Sequence, residues 1–251
     1  MPNAFDLVFA IIVFVAGTLL DYFVLWPYLL RKVDAGDPDA RTRVYGILMG
    51  GEWLATIFVV GRWWMLARPW TALWLVPPRG WRLVASILAV LAVAALFRSQ
   101  TRALARLSAE KRAHILRRLG RLIAFLPLTA AEYRWFVGLS FTAGVCEELL
   151  YRGFLVWTLQ GWVGLGWAAV ISVIVFGAGH AYQGKDVVRP ILAGAVLQGL
   201  ALLTGSILPG ILVHVMLDVM SGGYNLLRES GNAAQSAASS ELSIVEMSHK
   251  P

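Results

Sequence analysis

Two adjacent carboxylates, Glu147 and Glu148, lie inside a hydrophobic stretch that is long enough to cross a membrane. The stretch runs from residue 133 to residue 157 and also carries Arg152. A charge at the centre of a bilayer costs roughly 2.5–3.5 kcal/mol on insertion scales, so such residues need partners and generally mark a functional site. Of the 251 residues 58% are hydrophobic and only 15% are charged, whereas soluble domains carry roughly 25% charged residues. We therefore expect an all-α fold, a polytopic bundle of transmembrane helices.

Six further hydrophobic stretches are separated by polar or turn-forming segments, so the hydropathy predicts about seven spans. The first stretch has no basic segment before it and no small-residue cleavage site after it, so we expect it to be retained. Three regions are expected: N-terminal spans with a basic amphipathic connection (1–130), a helical core that carries the intramembrane charges (131–227), and a disordered tail (228–251). The predicted spans are 5–30, 44–66, 83–97, 133–157, 163–179, 190–204 and 207–227.

Much of the positive charge lies in one connection between spans, residues 98–132. Arginine and lysine favour the cytoplasmic side of a membrane, so we expect the N-terminus outside and the C-terminus in the cytoplasm. Apolar residues recur at helical spacing between the arginines, which fits an amphipathic helix in the headgroup plane or a cytosolic helix packed on the protein. No stacking aromatic residues interleave this basic run, so the expected partners are membrane lipids and not nucleic acid. The expected location is the cell membrane, in a bacterium the inner membrane.

The spacing of Glu148 and Arg152 places both on one face of a helix, where they can form an ion pair. Glu147 is rotated by about 100° from Glu148, so Arg152 reaches it less easily. We predict that the Glu148–Arg152 pair mainly holds the structure and that Glu147 stays free. A buried carboxylate without a full counter-charge is suited to act as a general base.

Two further motifs follow in later spans: His180 at the end of a span, and His214 with Asp218 one helical turn apart. A lone intramembrane histidine is often only a helix–helix hydrogen bond, but this many ionisable groups in one half of the chain favours a functional site. Glu147, His180, His214 and Asp218 can hold Zn²⁺ or activate a water directly, and the sequence leaves both open.

Three other residues with polar or reactive side chains lie inside spans. Asp21 and Glu52 are hydrated, paired with arginines or functional, and the sequence leaves these alternatives open. Cys146 has no neighbouring base and is interpreted as a small packing residue.

As a set, the motifs resemble the CPBP intramembrane protease family, the CAAX prenyl protease and bacteriocin-processing (abortive-infection) group. The resemblance covers roughly residues 130–225 and rests on a glutamate pair followed by arginine, an FxxxH motif and an HxxxN or HxxxD motif. It implies peptide-bond hydrolysis in a cavity among the motif-bearing helices that opens to the cytosolic side. The residues that carry it are Glu147, Glu148, Arg152, Phe176, His180, His214 and Asp218.

Carried over from the family, Glu147 activates a water molecule, and His180, His214 and Asp218 complete the site. Asp218 stands where the prenyl-protease branch has asparagine, which can donate to an oxyanion. An ionised aspartate only accepts, so Asp218 is better suited to bind a metal or to orient a histidine. The departure argues against carrying over prenylated substrates, and the expected substrate is a membrane-associated protein or peptide.

Two non-proteolytic functions use the same buried charges. A proton-coupled transporter is one alternative, although no inverted repeat is visible and the polar residues cluster in one half of the chain. The other is an immunity-type membrane scaffold without activity, which the three intact motifs disfavour. The leading hypothesis is an intramembrane endopeptidase, and the sequence leaves open whether Zn²⁺ assists it.

Overall fold

The computed structural model describes residues 2–223, except for the side chains of residues 105, 109 and 112. The described chain is a bundle of helices without a β-strand, which confirms the predicted fold class. The predicted disordered tail and the last residues of the seventh predicted span lie outside the described residues. We label the helices α1 (Ala4–Asp34), α2 (Ala40–Met65), α3 (Trp81–Ala105), α4 (Ala109–Leu119), α5 (Ala130–Glu147), α6 (Val156–Gly179), α7 (Val188–Thr204) and α8 (Leu208–Ser221).

Five helical runs are long and apolar enough to cross a membrane, and many of their large hydrophobic side chains face outward. One run of 50 residues, Ala130–Gly179, includes both α5 and α6, and α8 is a shorter apolar helix. Outward-facing apolar side chains are expected where lipid replaces water as the solvent. The chain is therefore a multi-pass membrane protein, and the number of seven spans stays a prediction.

The helix that contains the third predicted span, 83–97, is longer than the span, because α3 continues beyond residue 97 to Ala105. The added turns contain arginine, alanine and leucine, which are good helix formers in water or in the headgroup region. Hydropathy marks where the apolar segment ends and not where the helix ends. The next helix, α4, is capped at its N-terminus by Ser108, whose Oγ accepts a hydrogen bond from the Lys111 amide.

A sharp reversal at Gly164 divides the long helical run Ala130–Gly179 into two arms. Gly164 has φ +78° and ψ 161°, a conformation open mainly to glycine. After the reversal the chain folds back on itself, so that the Ser172 hydroxyl donates to the Tyr151 carbonyl over 2.9 Å. The sequence suggests the glycine-containing segment 160–162 as the link between the predicted spans 133–157 and 163–179, but this segment is helical and the turn comes at Gly164.

The N-terminal helices pack directly on the helices that carry the motifs. In α2, Trp53 Nε1 donates to Thr142 Oγ1 of α5 over 3.1 Å. Arg41, near the start of the same helix, forms an ion pair of 3.3 Å with Glu132, at the start of α5. Thr129 caps the N-terminus of α5 in a capping box: its side chain accepts a hydrogen bond from the Glu132 amide, and the Glu132 side chain accepts one from the Thr129 amide. In α1, the ring centroid of Phe14 lies 4.6 Å from that of Tyr151, which follows the glutamate pair. Helices α1 and α2 therefore form one wall of the space in front of the motif helices.

Candidate active site

The glutamate pair lies where α5 passes into a π-helical turn, Glu148–Leu155. Such turns are rare and frequently occur at functional sites. Glu148 Oε1 and Arg152 Nη1 are 3.1 Å apart, and both side chains are at most 1% exposed. Arg152 Nη2 also donates to the Gly194 carbonyl of α7 over 3.2 Å. The structure thus contains the ion pair that the i,i+4 spacing predicts, and it ties α5 to α7.

Glu148 has a second partner that the sequence did not indicate. His214 Nδ1, on α8, donates to Glu148 Oε1 over 2.9 Å, and the histidine is buried. The approach of α8 depends on Gly210, where an added Cβ would lie 2.8 Å from Glu148 Oε2. Glu148 therefore links Arg152 to His214 and fixes the orientation of the imidazole ring.

The other ring nitrogen of His214 faces the two remaining carboxylates of the motifs. His214 Nε2 lies 3.6 Å from Glu147 Oε2 and 3.7 Å from Asp218 Oδ2. These distances exceed a direct hydrogen bond, and a water molecule beside the three groups can bond to more than one of them. Glu147 Oε2 is itself buried, with no hydrogen-bond partner among the described residues, whereas the Glu147 side chain as a whole is 17% exposed. The carboxylate therefore reaches the cavity through its accessible part, where a water molecule or a substrate can approach it.

His180, at the end of α6, is positioned by its own motif. Its Nδ1 donates to the carbonyl of Phe176 over 2.9 Å, one helical turn earlier. The ring centroid of Phe176 lies 4.7 Å from that of His180 and 6.0 Å from that of His214. Arg152 Cζ lies 4.3 Å from the same phenyl ring. Phe176 thus packs against Arg152 and lies near both histidines.

A cavity of about 960 Å³ connects these groups. Glu147, His180, His214 and Asp218 all line it, as does Tyr151. The structure brings Glu147, His214 and Asp218 directly together and places His180 on the wall of the same cavity.

The N-terminal spans contribute two acidic residues to the same cavity, Asp21 from α1 and Glu52 from α2. Glu52 Oε2 is buried without a hydrogen-bond partner among the described residues. Neither carboxylate forms an ion pair with an arginine in the part of the chain that the structure describes, so one of the alternatives raised by the sequence is wrong there. Asp21 and Glu52 thus add two carboxyl groups to those that the C-terminal motifs bring to the cavity.

The donor atoms of the site are not arranged for a metal ion. Across residues 2–223 no group of three or more histidine, cysteine, aspartate or glutamate side chains could hold one. Glu147 and Asp218 both lie near Nε2 of His214, while Nδ1 is bonded to Glu148.

Comparison with known proteins supports the resemblance that the motifs suggest. Residues 129–220 match the family model described as Rce1-like, type II CAAX prenyl endopeptidase Rce1-like. The match includes all the motif residues, from Glu147 to Asp218. No curated protein and no solved structure matches the chain. Helices α1 to α4 lie outside the matched segment.

Proposed function

Residues 129–220 belong to the CPBP family of intramembrane proteases, and from this premise we propose that the chain is an endopeptidase that hydrolyses a peptide bond of a membrane-associated protein or peptide. The observation that carries the proposal is the position of Glu147, whose side chain lines the cavity and approaches His214 Nε2 to 3.6 Å. A water molecule beside the two groups can give its proton to Glu147, since a general base must lie within hydrogen-bond reach of the proton it takes.

In the proposed reaction, the water oxygen forms a bond to the carbonyl carbon while its proton passes to Glu147. The carbonyl oxygen becomes an oxyanion. His180 has its Nδ1 engaged with the Phe176 carbonyl, which leaves Nε2 for the cavity, where it accepts a hydrogen bond in the neutral ring and donates one to the oxyanion once the ring gains a proton. The tetrahedral intermediate then breaks its carbon–nitrogen bond, and Glu147 returns the proton to the leaving amine. The products are a carboxylic acid and an amine, which then exchange protons with water, and no redox partner is needed.

His214 is proposed to hold the attacking water. Its Nδ1 proton is fixed by Glu148, so its Nε2 is directed toward Glu147 and Asp218. Asp218 accepts hydrogen bonds when ionised, and it is proposed to orient the water and the imidazole ring. The side chain of Asp218 is 35% exposed, so this edge of the site is open to water. We propose a cytosolic opening for the cavity, as the basic residues near residues 180–189 indicate.

The decisive experiment is cleavage by the Glu147→Gln variant. This change keeps the shape of the side chain and removes the base, so cleavage should fall by about 10²–10⁴-fold while the folded yield is unchanged. Because the natural substrate is unknown, the measurement is the proteome of membranes that contain the wild type or the variant, searched for fragments dependent on Glu147. The purified pair is then tested on the candidate found. Equal fragments from both proteins would refute the proposal. Ion or solute flux without cleavage would instead support the transporter.

A further inference from the structure

A second cavity lies beside the catalytic one and is lined by positive charge. It has a volume of about 550 Å³, and its walls are the end of α4, the turn Gly120–Ala124 and the connection Ala181–Val187. We call it the basic cavity. Five cationic side chains line it, namely Arg117, Arg118, Arg121, Lys185 and Arg189.

These charges are hardly neutralised by the protein itself. Asp186 is the one carboxylate on the wall of the basic cavity, and its Oδ1 lies 3.7 Å from Arg189 Nη2. In the described part of the chain, no hydrogen bond or ion pair engages the side chains of Arg117, Arg118, Arg121 or Lys185. Like charges gathered around one space repel each other, and an anion from outside the chain relieves that repulsion.

The apolar part of the wall locates the basic cavity at a membrane surface. Trp26 and Tyr182 line it, with ring centroids 5.1 Å apart. Tryptophan and tyrosine are enriched at the level of the lipid headgroups. Leu119 and Leu122 are half-buried and line both cavities. The cavity also lies where apolar helices end, since α6 ends at Gly179 and α7 begins at Val188.

We propose that the basic cavity binds the phosphate-bearing headgroup of an anionic phospholipid. Arginine guanidinium groups bind phosphate oxygens with paired hydrogen bonds, and each basic residue near an anionic bilayer adds attraction. The headgroup would lie among Arg117, Arg118 and Arg121 on one side and Lys185 on the other. The acyl chains would leave along Leu119 and Leu122. This inference does not depend on proteolysis.

The test measures lipid binding by the purified full-length protein. Native mass spectrometry after exchange into mixed micelles would count bound phosphatidylglycerol and phosphatidylcholine. The test variant is Arg117→Gln with Arg118→Gln and Arg121→Gln. The matched control is Arg98→Gln with Arg102→Gln and Arg106→Gln, which removes the same charge from exposed residues that line neither cavity. We expect the wild type and the control to retain phosphatidylglycerol preferentially, and the test variant to bind it at least about tenfold more weakly.

Several results would overturn the proposal. Equal weakening in both triple variants would show a diffuse attraction and no site. If millimolar inorganic phosphate displaced bound phosphatidylglycerol as effectively as added lipid does, the cavity would be a site for soluble phosphate. Displacement of lipid by a peptide with a free terminal carboxylate, but not by its amide, would assign the cavity to substrate. If the triple variant fails to fold, Lys185→Gln, from the opposite wall, supplies the same comparison, and unchanged binding there would count against the proposal.

Discussion

Glu148 accepts a hydrogen bond from His214 Nδ1 over 2.9 Å while its same oxygen lies 3.1 Å from Arg152 Nη1. One carboxylate therefore compensates a buried arginine and also fixes a histidine of the proposed site. The proton on Nδ1 is committed to Glu148, so the function of His214 depends on Nε2, which faces Glu147 and Asp218. Second partners of this kind commonly set the orientation of functional histidines.

Glu148→Gln tests the structural side of this relationship. The change leaves Arg152 buried without its counter-charge, which costs about 3–5 kcal/mol for a broken buried pair. We expect a lower folded yield and a lower thermal stability in detergent, together with lost cleavage. Glu147→Gln is the matched control, since it should lose cleavage and keep its yield. Wild-type stability and activity in Glu148→Gln would contradict the assignment.

Gly210→Ala tests the contact between α8 and Glu148 without changing any charge. The new methyl group would lie 2.8 Å from Glu148 Oε2, so either the helix or the carboxylate must move. Overpacking of this kind costs about 1–3 kcal/mol, and we expect thermal stability and cleavage to fall together. Gly199→Ala is the control, because nothing lies within 4 Å of its added Cβ. Equal behaviour of the two variants would show that the close approach at Gly210 is unimportant.

The sequence predicts the parts of the site that depend on local helical spacing. The Glu148–Arg152 pair joins residues one turn apart and follows from their spacing. The bond from His180 to the Phe176 carbonyl also spans one turn, although the sequence did not indicate it. The bond from His214 to Glu148 joins residues 66 positions apart. It depends on how α8 crosses α5, which a single sequence does not determine. The sequence indicated only that such a contact would exist, because buried charges need partners.

The same limit applies to the N-terminal half. Asp21 and Glu52 can be recognised as charges within spans, but their arrival in one cavity with Glu147 requires the packing of α1 and α2 on the motif helices. Helix ends were also less predictable than helix cores. Hydropathy located the apolar part of α3 and missed its polar continuation to Ala105.

Asp218→Asn examines the position at which the chain departs from the prenyl-protease branch. An asparagine keeps the shape and removes the negative charge that lies 3.7 Å from His214 Nε2. If Asp218 orients the water and the histidine, cleavage should fall by about 10–100-fold, the range for carboxylates that orient functional histidines. Asp34→Asn, at an exposed position at the end of α1, is the control for charge alone. Full activity in Asp218→Asn would show that the charge has no role.

Metal removal distinguishes the two mechanisms that the sequence left open, water activation by Zn²⁺ and direct activation by Glu147. Since the donor atoms do not form a metal site among the described residues, we expect purified protein to contain less than about 0.1 zinc per chain, well below the full occupancy of a structural or catalytic zinc site. Dialysis against a chelator should leave cleavage unchanged. Plasma mass spectrometry of the wild type and of His214→Ala makes the measurement. Zinc bound to the wild type and lost in His214→Ala, with activity restored by added zinc, would establish the metal-assisted route.

The orientation in the membrane is the prediction with the widest consequences, because it determines on which side substrates are met. The basic connection at residues 98–132 should lie in the cytoplasm, since the opposite orientation would place the densest basic segment outside. A cysteine introduced in place of Ser108, which is exposed at the start of α4, should therefore resist a membrane-impermeant thiol reagent in intact cells. It should react once the cells are opened.

The natural Cys146 is fully buried and provides the unreactive background. A cysteine in place of Arg79, between α2 and α3, should react in intact cells. Labelling of position 108 from outside would reverse the topology and move the proposed opening of the catalytic cavity to the outer face.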